Sequence, residues 1–239
     1  MARFWHHVKQ VIYEADILIE VLDARHIKET RNPEIEEKVL EAGKKLLYVI
    51  NKSDLVKTKK FVNLKPSVYV SSTQKLGTTI LLKKILELSR GEPVIIGVLG
   101  YPNVGKSSLI NALAGKAKAR TSSESGFTKG LQKVKVNNKI TVLDTPGVFP
   151  DKEKDNQKFG NTGAVDFGKI KDPEIVALTI IRDNKKIVEK YYTLQGEDEE
   201  DILEKIAKKF KKLQRGNMPD LEAAARLFLK DWQTGKIIL

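Results

Sequence analysis

Apolar residues along this chain follow two rhythms. Nearly unbroken runs at 16–23, 46–50, 68–70 and 94–99 are short, and polar or turn residues bound each one, so they read as buried strands. Stretches at 3–14, 33–42 and 78–89 carry apolar residues at helical spacing. The second of these has Pro33 at its first position and Gly43 just past its end, the residues that suit a helix start and stop. The run 94–99 leads through a glycine-bounded turn into another helix, closed by Gly115. Two further strands, about 132–137 and 139–143, flank Asn137-Asn138, a tight-turn pair. Strands alternating with helices predict an α/β fold.

The pattern changes beyond residue 150. Residues 151–170 are polar and dotted with glycine, which reads as a mobile connection. Helices are then expected from Pro173, from the acid-rich Gly196–Glu200, and from Pro219 through Lys230. The expected division is a first domain over 1–165 and a small α-helical domain over 166–239. With 239 residues, 41% of them hydrophobic, each has material for its own core.

Composition narrows the classes. The absence of cysteine excludes disulfides and thiolate chemistry and suits an intracellular protein. The first ten residues have no apolar signal core, and no apolar run is long enough to span a bilayer, so a cytoplasmic protein without membrane attachment is expected. Three histidines show no metal-ligand spacing. A net charge of +12 favours a polyanionic partner such as nucleic acid, although lysines that only solvate the surface read the same way. The same two readings apply to Lys205, Lys208, Lys209, Lys211, Lys212 and Arg215 near the C-terminus.

Three motifs carry the chemistry. Gly100-Tyr101-Pro102-Asn103-Val104-Gly105-Lys106-Ser107 stands between a buried strand and a helix, as a phosphate-binding loop does. There, N–H groups of Asn103 through Ser108 (Val104 and Gly105 among them) would converge on phosphate oxygens. Lys106 would reach the outer phosphates, and Ser107 would ligate Mg²⁺. Asn51-Lys52-Ser53-Asp54 follows a second strand and has the form of the base-reading motif of GTP-binding proteins. The Asp54 carboxylate can accept both the ring N–H and the exocyclic amine of guanine, which adenine does not offer together. The stem of Lys52 would cover the base, and Asn51 would brace the pocket. The turn Ser71-Ser72-Thr73, after the third strand, would supply a backbone N–H to the guanine carbonyl. Asp144-Thr145-Pro146-Gly147 closes the last strand: Asp144 would hold Mg²⁺ through water, and the Gly147 N–H would meet the γ-phosphate.

The order of these motifs is unusual, because the base-reading turn precedes the phosphate loop. Together with Asp23-Ala24-Arg25, Arg31-Asn32-Pro33, Thr128 within Gly126–Gly130, and the tail segment from Arg215-Gly216 to Gly235-Lys236, the set resembles the circularly permuted GTPases of the YlqF/RbgA and Lsg1/YawG type. That resemblance implies a P-loop GTPase fold with permuted motif order and a C-terminal helical domain. It further implies GTP hydrolysis to GDP in assembly of the large ribosomal subunit, with its rRNA as partner. Lys106, Thr128 and Gly147 would then be catalytic, with Ser107, Thr128 and Asp144 around Mg²⁺. Similarity to GTPases that have Asn at this loop position implies K⁺ as an added cation at Asn103, or else Asn103 holds only the loop's shape. Val148 stands where other GTPases carry a water-orienting glutamine, so intrinsic turnover should be slow; a guanine-nucleotide-sensing RNA-binding module with negligible turnover is the alternative. His6 and His7 do not align with the family's catalytic histidine and belong to the first helix. A monomer is the expected state.

Overall fold

The computed structural model describes residues 2–57, 63–115, 132–144, 162–163 and 165–238. By its contacts the chain divides into two compact units, Met1–Lys154 and Asp155–Leu239. In the first, the order is α1 (Ala2–Glu14), β1 (Ile17–Asp23), α2 (Pro33–Glu41), β2 (Lys45–Asn51), β3 (Ser67–Tyr69), α3 (Thr78–Leu88), β4 (Val94–Leu99), α4 (Lys106–Ala114), β5 (Gln132–Lys135) and β6 (Ile140–Asp144). The strands form one sheet in the order β3-β2-β1-β4-β6-β5. All neighbours are parallel except β5, which runs antiparallel to β6.

Each strand of the sheet's centre is apolar because both its faces are covered. β1 is buried at all seven positions. Its Leu18 joins Val8, Val11 and Ala15 of the α1 segment and Ile35 and Val39 of α2 in one cluster. Gly97 of β4 makes that packing possible: a Cβ there would lie 2.5 Å from Val11 Cγ1 and 2.6 Å from Leu18 Cδ1. Asn32 caps α2 by accepting the Ile35 N–H at 3.2 Å. Lysines at the amino ends of the strands serve the architecture. Lys44 donates to Ala15 O at 2.8 Å, Lys45 to Leu88 O at 2.6 Å and Lys139 to Gly91 O at 2.7 Å, satisfying carbonyls where helices end.

A carboxyl group lies inside this sheet, away from the strand ends. Glu20, fully buried on β1, accepts the Asn32 N–H at 2.7 Å and faces Glu36, which holds Arg31 through two bonds of 2.8 and 2.6 Å and accepts the Tyr48 hydroxyl at 3.0 Å. Burial pushes the Glu20 carboxyl well above the usual carboxylate range, with the Glu36 charge adding to the effect against the Asn32 N–H.

The second unit is helical: α5 (Pro173–Asp183), α6 (Lys185–Tyr192), α7 (Glu199–Lys209) and α8 (Leu221–Gln233). Asp198 and Asp220 cap the last two by accepting the N–H groups of Asp201 (2.8 Å) and Ala223 (2.9 Å). Ile180, Val188, Tyr192, Ile206, Phe228 and Trp232 meet in its core. Buried Asp231 accepts the Tyr192 hydroxyl at 3.0 Å and the Lys236 ammonium at 2.7 Å. The sequence suggests a loose connection through residue 170, yet residues 165–170 are docked. Val165 and Phe167 pack on the core, and Gln233 bonds both the Phe167 N–H (3.0 Å) and the Val165 carbonyl (3.1 Å). Helix α6 has no counterpart in the sequence reading: it is separated from α5 only by Asn184, with no glycine or proline to mark the break. Among the described residues no helix is long and apolar enough to cross a membrane.

Candidate functional site

The sheet order creates a crevice. From β1 the chain steps outward to β2 and β3; from β4 it steps the other way to β6, so the carboxyl ends of β1 and β4 mark a topological switch point, where α/β sheets bind ligands. Of the sequence's candidate residues, those that the structure describes lie along this edge.

After β4, the backbone turns through positive φ at Gly100 (140°), Asn103 (59°) and Gly105 (95°). A Cβ on Gly100 would come within 2.6 Å of Val21 O, and one on Gly105 within 2.4 Å of Asn51 Nδ2, so both positions require glycine for space as well as conformation. Gly105 opens α4, whose first N–H groups, from Lys106 through Ser108, have no intrahelical partner. Lys106 is buried, its ammonium donating to Gly100 O (3.1 Å) and Tyr101 O (2.7 Å). Burial lowers its pKa to about 8, against the pull of Asp144. The Ser107 hydroxyl donates to Asp144 Oδ2 at 3.1 Å, and Asp144 is itself buried at the end of β6.

Asn51, at the end of β2 and 1% exposed, joins three segments. Its Nδ2 donates to Val104 O (3.0 Å) and Gly105 O (3.4 Å), while its Oδ1 accepts the N–H (3.2 Å) and hydroxyl (2.8 Å) of Ser72. Lys52 follows in a left-handed conformation (φ 57°), and Asp54 lies in a 3-10 turn, Ser53–Leu55. Among the described residues, the buried Oδ1 of Asp54 has no hydrogen-bond partner, and its Oδ2 meets the Thr73 hydroxyl at 3.5 Å. A carboxylate with a buried, unsatisfied oxygen is poised for a donor from outside the chain.

The turn after β3 differs from expectation. The sequence suggests that the Ser71-Ser72-Thr73 turn offers a backbone N–H to a ligand; within it the Ser71 N–H goes to Leu76 O (3.0 Å) and the Ser72 N–H to Asn51 (3.2 Å). The Ser72 donor braces the base turn, and the Ser71 donor closes its own loop. Sequence reasoning also assigned no role to Asp23, which ends β1 and contacts Lys52, or to Arg25 just beyond it, which pairs with Asp23; only their place in a family motif marked them. Burial alone would raise the Asp23 carboxyl, but the Lys52 ammonium and Arg25 guanidinium hold it well below the usual range. Thr128 and Gly147 lie outside the described residues, as do Thr145, Pro146 and Val148; His6 and His7 fall on α1.

The donor set has a metal preference. A hydroxyl and a carboxylate oxygen 3.1 Å apart suit Mg²⁺, which keeps several waters and shares phosphate oxygens rather than demanding a full protein cage. Among the described residues there is no cluster of three or more His, Cys, Asp or Glu for another ion.

Comparison with known proteins agrees with this geometry. The model of the family described as 50S ribosome-binding GTPase matches residues 95–214. An uncharacterized GTP-binding protein of Methanocaldococcus jannaschii is 40% identical over 96% of this chain and 65% of its own length. The nuclear GTP-binding protein NUG1 of Saccharomyces cerevisiae is 31% identical over 96% of this chain and 54% of its own, and the guanine nucleotide-binding protein-like 3 homolog of Caenorhabditis elegans 30% identical over 96% and 48%. The chain thus spans about half to two thirds of these relatives' length. Among solved structures, GNP-bound YlqF from T. maritima superposes with a TM-score of 0.71 at 24% identity, covering 99% of this chain and 95% of that one, and the GDP-bound form with 0.70. The fold is therefore that of a circularly permuted P-loop GTPase, and the chain belongs to the family of 50S ribosome-binding GTPases.

Proposed function

We propose that this chain binds GTP at the carboxyl edge of its sheet, hydrolyses it slowly to GDP and phosphate, and uses that cycle in assembling the large ribosomal subunit. The observation that carries the reading is Asn51, whose amide ties the base turn, the phosphate loop and the Ser71–Thr73 turn into one site. The buried Oδ1 of Asp54 supplies the acceptor that guanine's N–H groups would fill. Relatives named as GTP-binding proteins, and YlqF with GDP or GNP bound, support the choice of nucleotide.

In this reading Lys106 exchanges the carbonyls of Gly100 and Tyr101 for the outer phosphate oxygens, and the first turn of α4 receives the inner ones. Ser107 and Asp144 would hold Mg²⁺, which neutralises charge on the β- and γ-phosphates. Thr128 and the Gly147 N–H are assigned to the γ-phosphate side. Val148 offers no hydrogen bond to an attacking water, which is why turnover is slow until a partner completes the site. Asn103 brings a side-chain oxygen to the loop, and K⁺ bound there would add charge compensation; equal turnover in Na⁺ would refute this.

The ribosomal assignment draws on the family and on charge. Residues 1–154 hold 27 Lys and Arg against 16 Asp and Glu, while residues 155–239 hold 16 against 15. The excess that would attract rRNA therefore lies in the first unit. Part of the basic run near the C-terminus is already committed: Lys205 pairs with Asp201 at 2.7 Å and Lys208 with Glu204 at 3.2 Å. The test is co-sedimentation with purified large and small ribosomal subunits in a GTP analogue or GDP. Selective binding to the large subunit with the analogue is expected. Binding to neither subunit would refute the ribosomal assignment, and tighter binding of ADP than GDP would refute the nucleotide.

A further inference from the structure

Strand β1 ends between β2, which leads into the base turn, and β4, which leads into the phosphate loop. Its last residue, Asp23, is fully buried and grips the base turn twice. Its backbone pairs in register with Asn51, and the next N–H, from Ala24, donates to Asn51 O at 2.9 Å. Its carboxylate meets Lys52 Nζ at 2.9 Å through Oδ2. The same carboxylate holds Arg25 by three bonds: Nε to Oδ1 (3.0 Å), Nη2 to Oδ2 (2.8 Å) and the Arg25 N–H to Oδ1 (3.0 Å). Thr30 completes the cluster, its hydroxyl accepting the Asp23 N–H at 3.1 Å and donating to His26 O at 2.6 Å.

Arg25 is 5% exposed and presents its cationic guanidinium fork to the Asp23 carboxylate. It thus keeps a carboxylate ionised in the interior, where that charge faces Lys52. Buried ion pairs add little to stability over apolar packing, and their best-attested use is to fix one arrangement among several. The arrangement here is specific: Lys52 is a non-glycine residue in left-handed backbone, one position after Asn51 and two before Asp54. On the other side of the same strand, Val21 O limits how close the phosphate loop can come at Gly100.

We propose that Asp23 and Arg25 are positioning residues for base recognition: they hold Lys52, and through it the Asn51–Asp54 turn, at the distance from the phosphate loop that a guanine nucleotide spans. The proposal rests on reading Asn51–Asp54 as the base turn. Neither residue touches the nucleotide in this account; Asp23 acts through Lys52, and Arg25 through Asp23.

The experiment compares the full chain with Asp23→Asn, Arg25→Gln, Lys52→Met and the double variant Asp23→Asn/Lys52→Met, all with Mg²⁺ present. Two probes separate base from phosphate: release of a fluorescent GDP, and competition by inorganic triphosphate, which has phosphates and no base. Asp23→Asn should speed GDP release roughly tenfold or more while changing triphosphate competition less than about twofold. Arg25→Gln should fall between the parent and Asp23→Asn. Added to Lys52→Met, Asp23→Asn should cost less than about twofold more, because both act on one contact. Equal losses for GDP and triphosphate, or fully additive effects in the double variant, would overturn the proposal. Where circular dichroism shows Asp23→Asn unfolded, Arg25→Gln decides: GDP release unchanged from the parent overturns it. A parent chain that binds triphosphate but not GDP refutes the base-turn reading itself, a distinct outcome.

Discussion

Replacing Asn51 by alanine tests whether one amide joins three segments. Its side chain makes a 3.0 Å bond to Val104 O, a long 3.4 Å contact to Gly105 O, and accepts from Ser72 at 3.2 and 2.8 Å. Counting the three good bonds at about 1 kcal/mol each, and allowing for buried partners left unsatisfied, the expected loss is about 2–4 kcal/mol. Native-state hydrogen exchange of the nucleotide-free chain reads this locally. Amides of β2 and α4 should exchange roughly 30- to 1000-fold faster, the same energy expressed as an opening constant, while those of α8 in the other unit stay unchanged. Asn51→Asp keeps the shape but turns a carboxylate oxygen toward the carbonyls of Val104 and Gly105, so its loss should be at least as large. Protection in β2 and α4 within about 0.5 kcal/mol of the parent for Asn51→Ala would refute the reasoning, since changes that small are typical of surface substitutions away from such networks. A stable Asn51→Asp would refute it equally, because the Val104 and Gly105 carbonyls can only accept.

Three further outcomes follow from the same geometry. Asp54→Asn exchanges an acceptor for a donor, so GDP affinity should fall while affinity for XDP, whose base carries a carbonyl in place of the amine, should rise; competition binding with both nucleotides checks it. His26 is held near a pKa of about 4 against an ordinary 6.5, chiefly by burial, with Asp23 pulling it up and Arg25 pushing it down. The unfolded chain therefore binds the extra proton first, and stability present above pH 6.5 is lost as pH falls toward 4, by about 3 kcal/mol. Urea melts should show that loss relative to His26→Gln. Glu20 has the opposite sign: with its folded pKa raised, the native state keeps a proton the unfolded chain has released, so stability declines as pH rises above the ordinary carboxylate range. Glu20→Gln retains the acceptor for the Asn32 N–H, and should be more stable than the parent at pH 8, with the gap closing toward about pH 4.

Much of the first unit was legible because its signals are local. The runs in β1, β2 and β4 are apolar on both faces, and α2 is bracketed by Pro33 and Gly43, so their boundaries fall within a residue or two of the observed ones. The helical unit was less legible. Nothing in the composition near Asn184 separates α5 from α6, and the docking of residues 165–170 depends on Gln233, more than sixty positions away. Ser72 shows the same limit at the site. A small residue after a strand suits a ligand-facing turn, and only the position of the Asn51 side chain reveals where its N–H goes.

The sequence by itself determined what depends on neighbours along the chain: the strand runs, the glycines that free the phosphate loop, the residue types of the base turn, and the permuted order of the two motifs. Tertiary structure alone decided what depends on pairing across distance. It set β1 between β2 and β4, bringing Asn51 against Gly105 across 54 positions and placing Asp23 beside Lys52. Sheet neighbours and buried ion pairs are chosen by how the whole chain fills its interior, and no local propensity carries that choice.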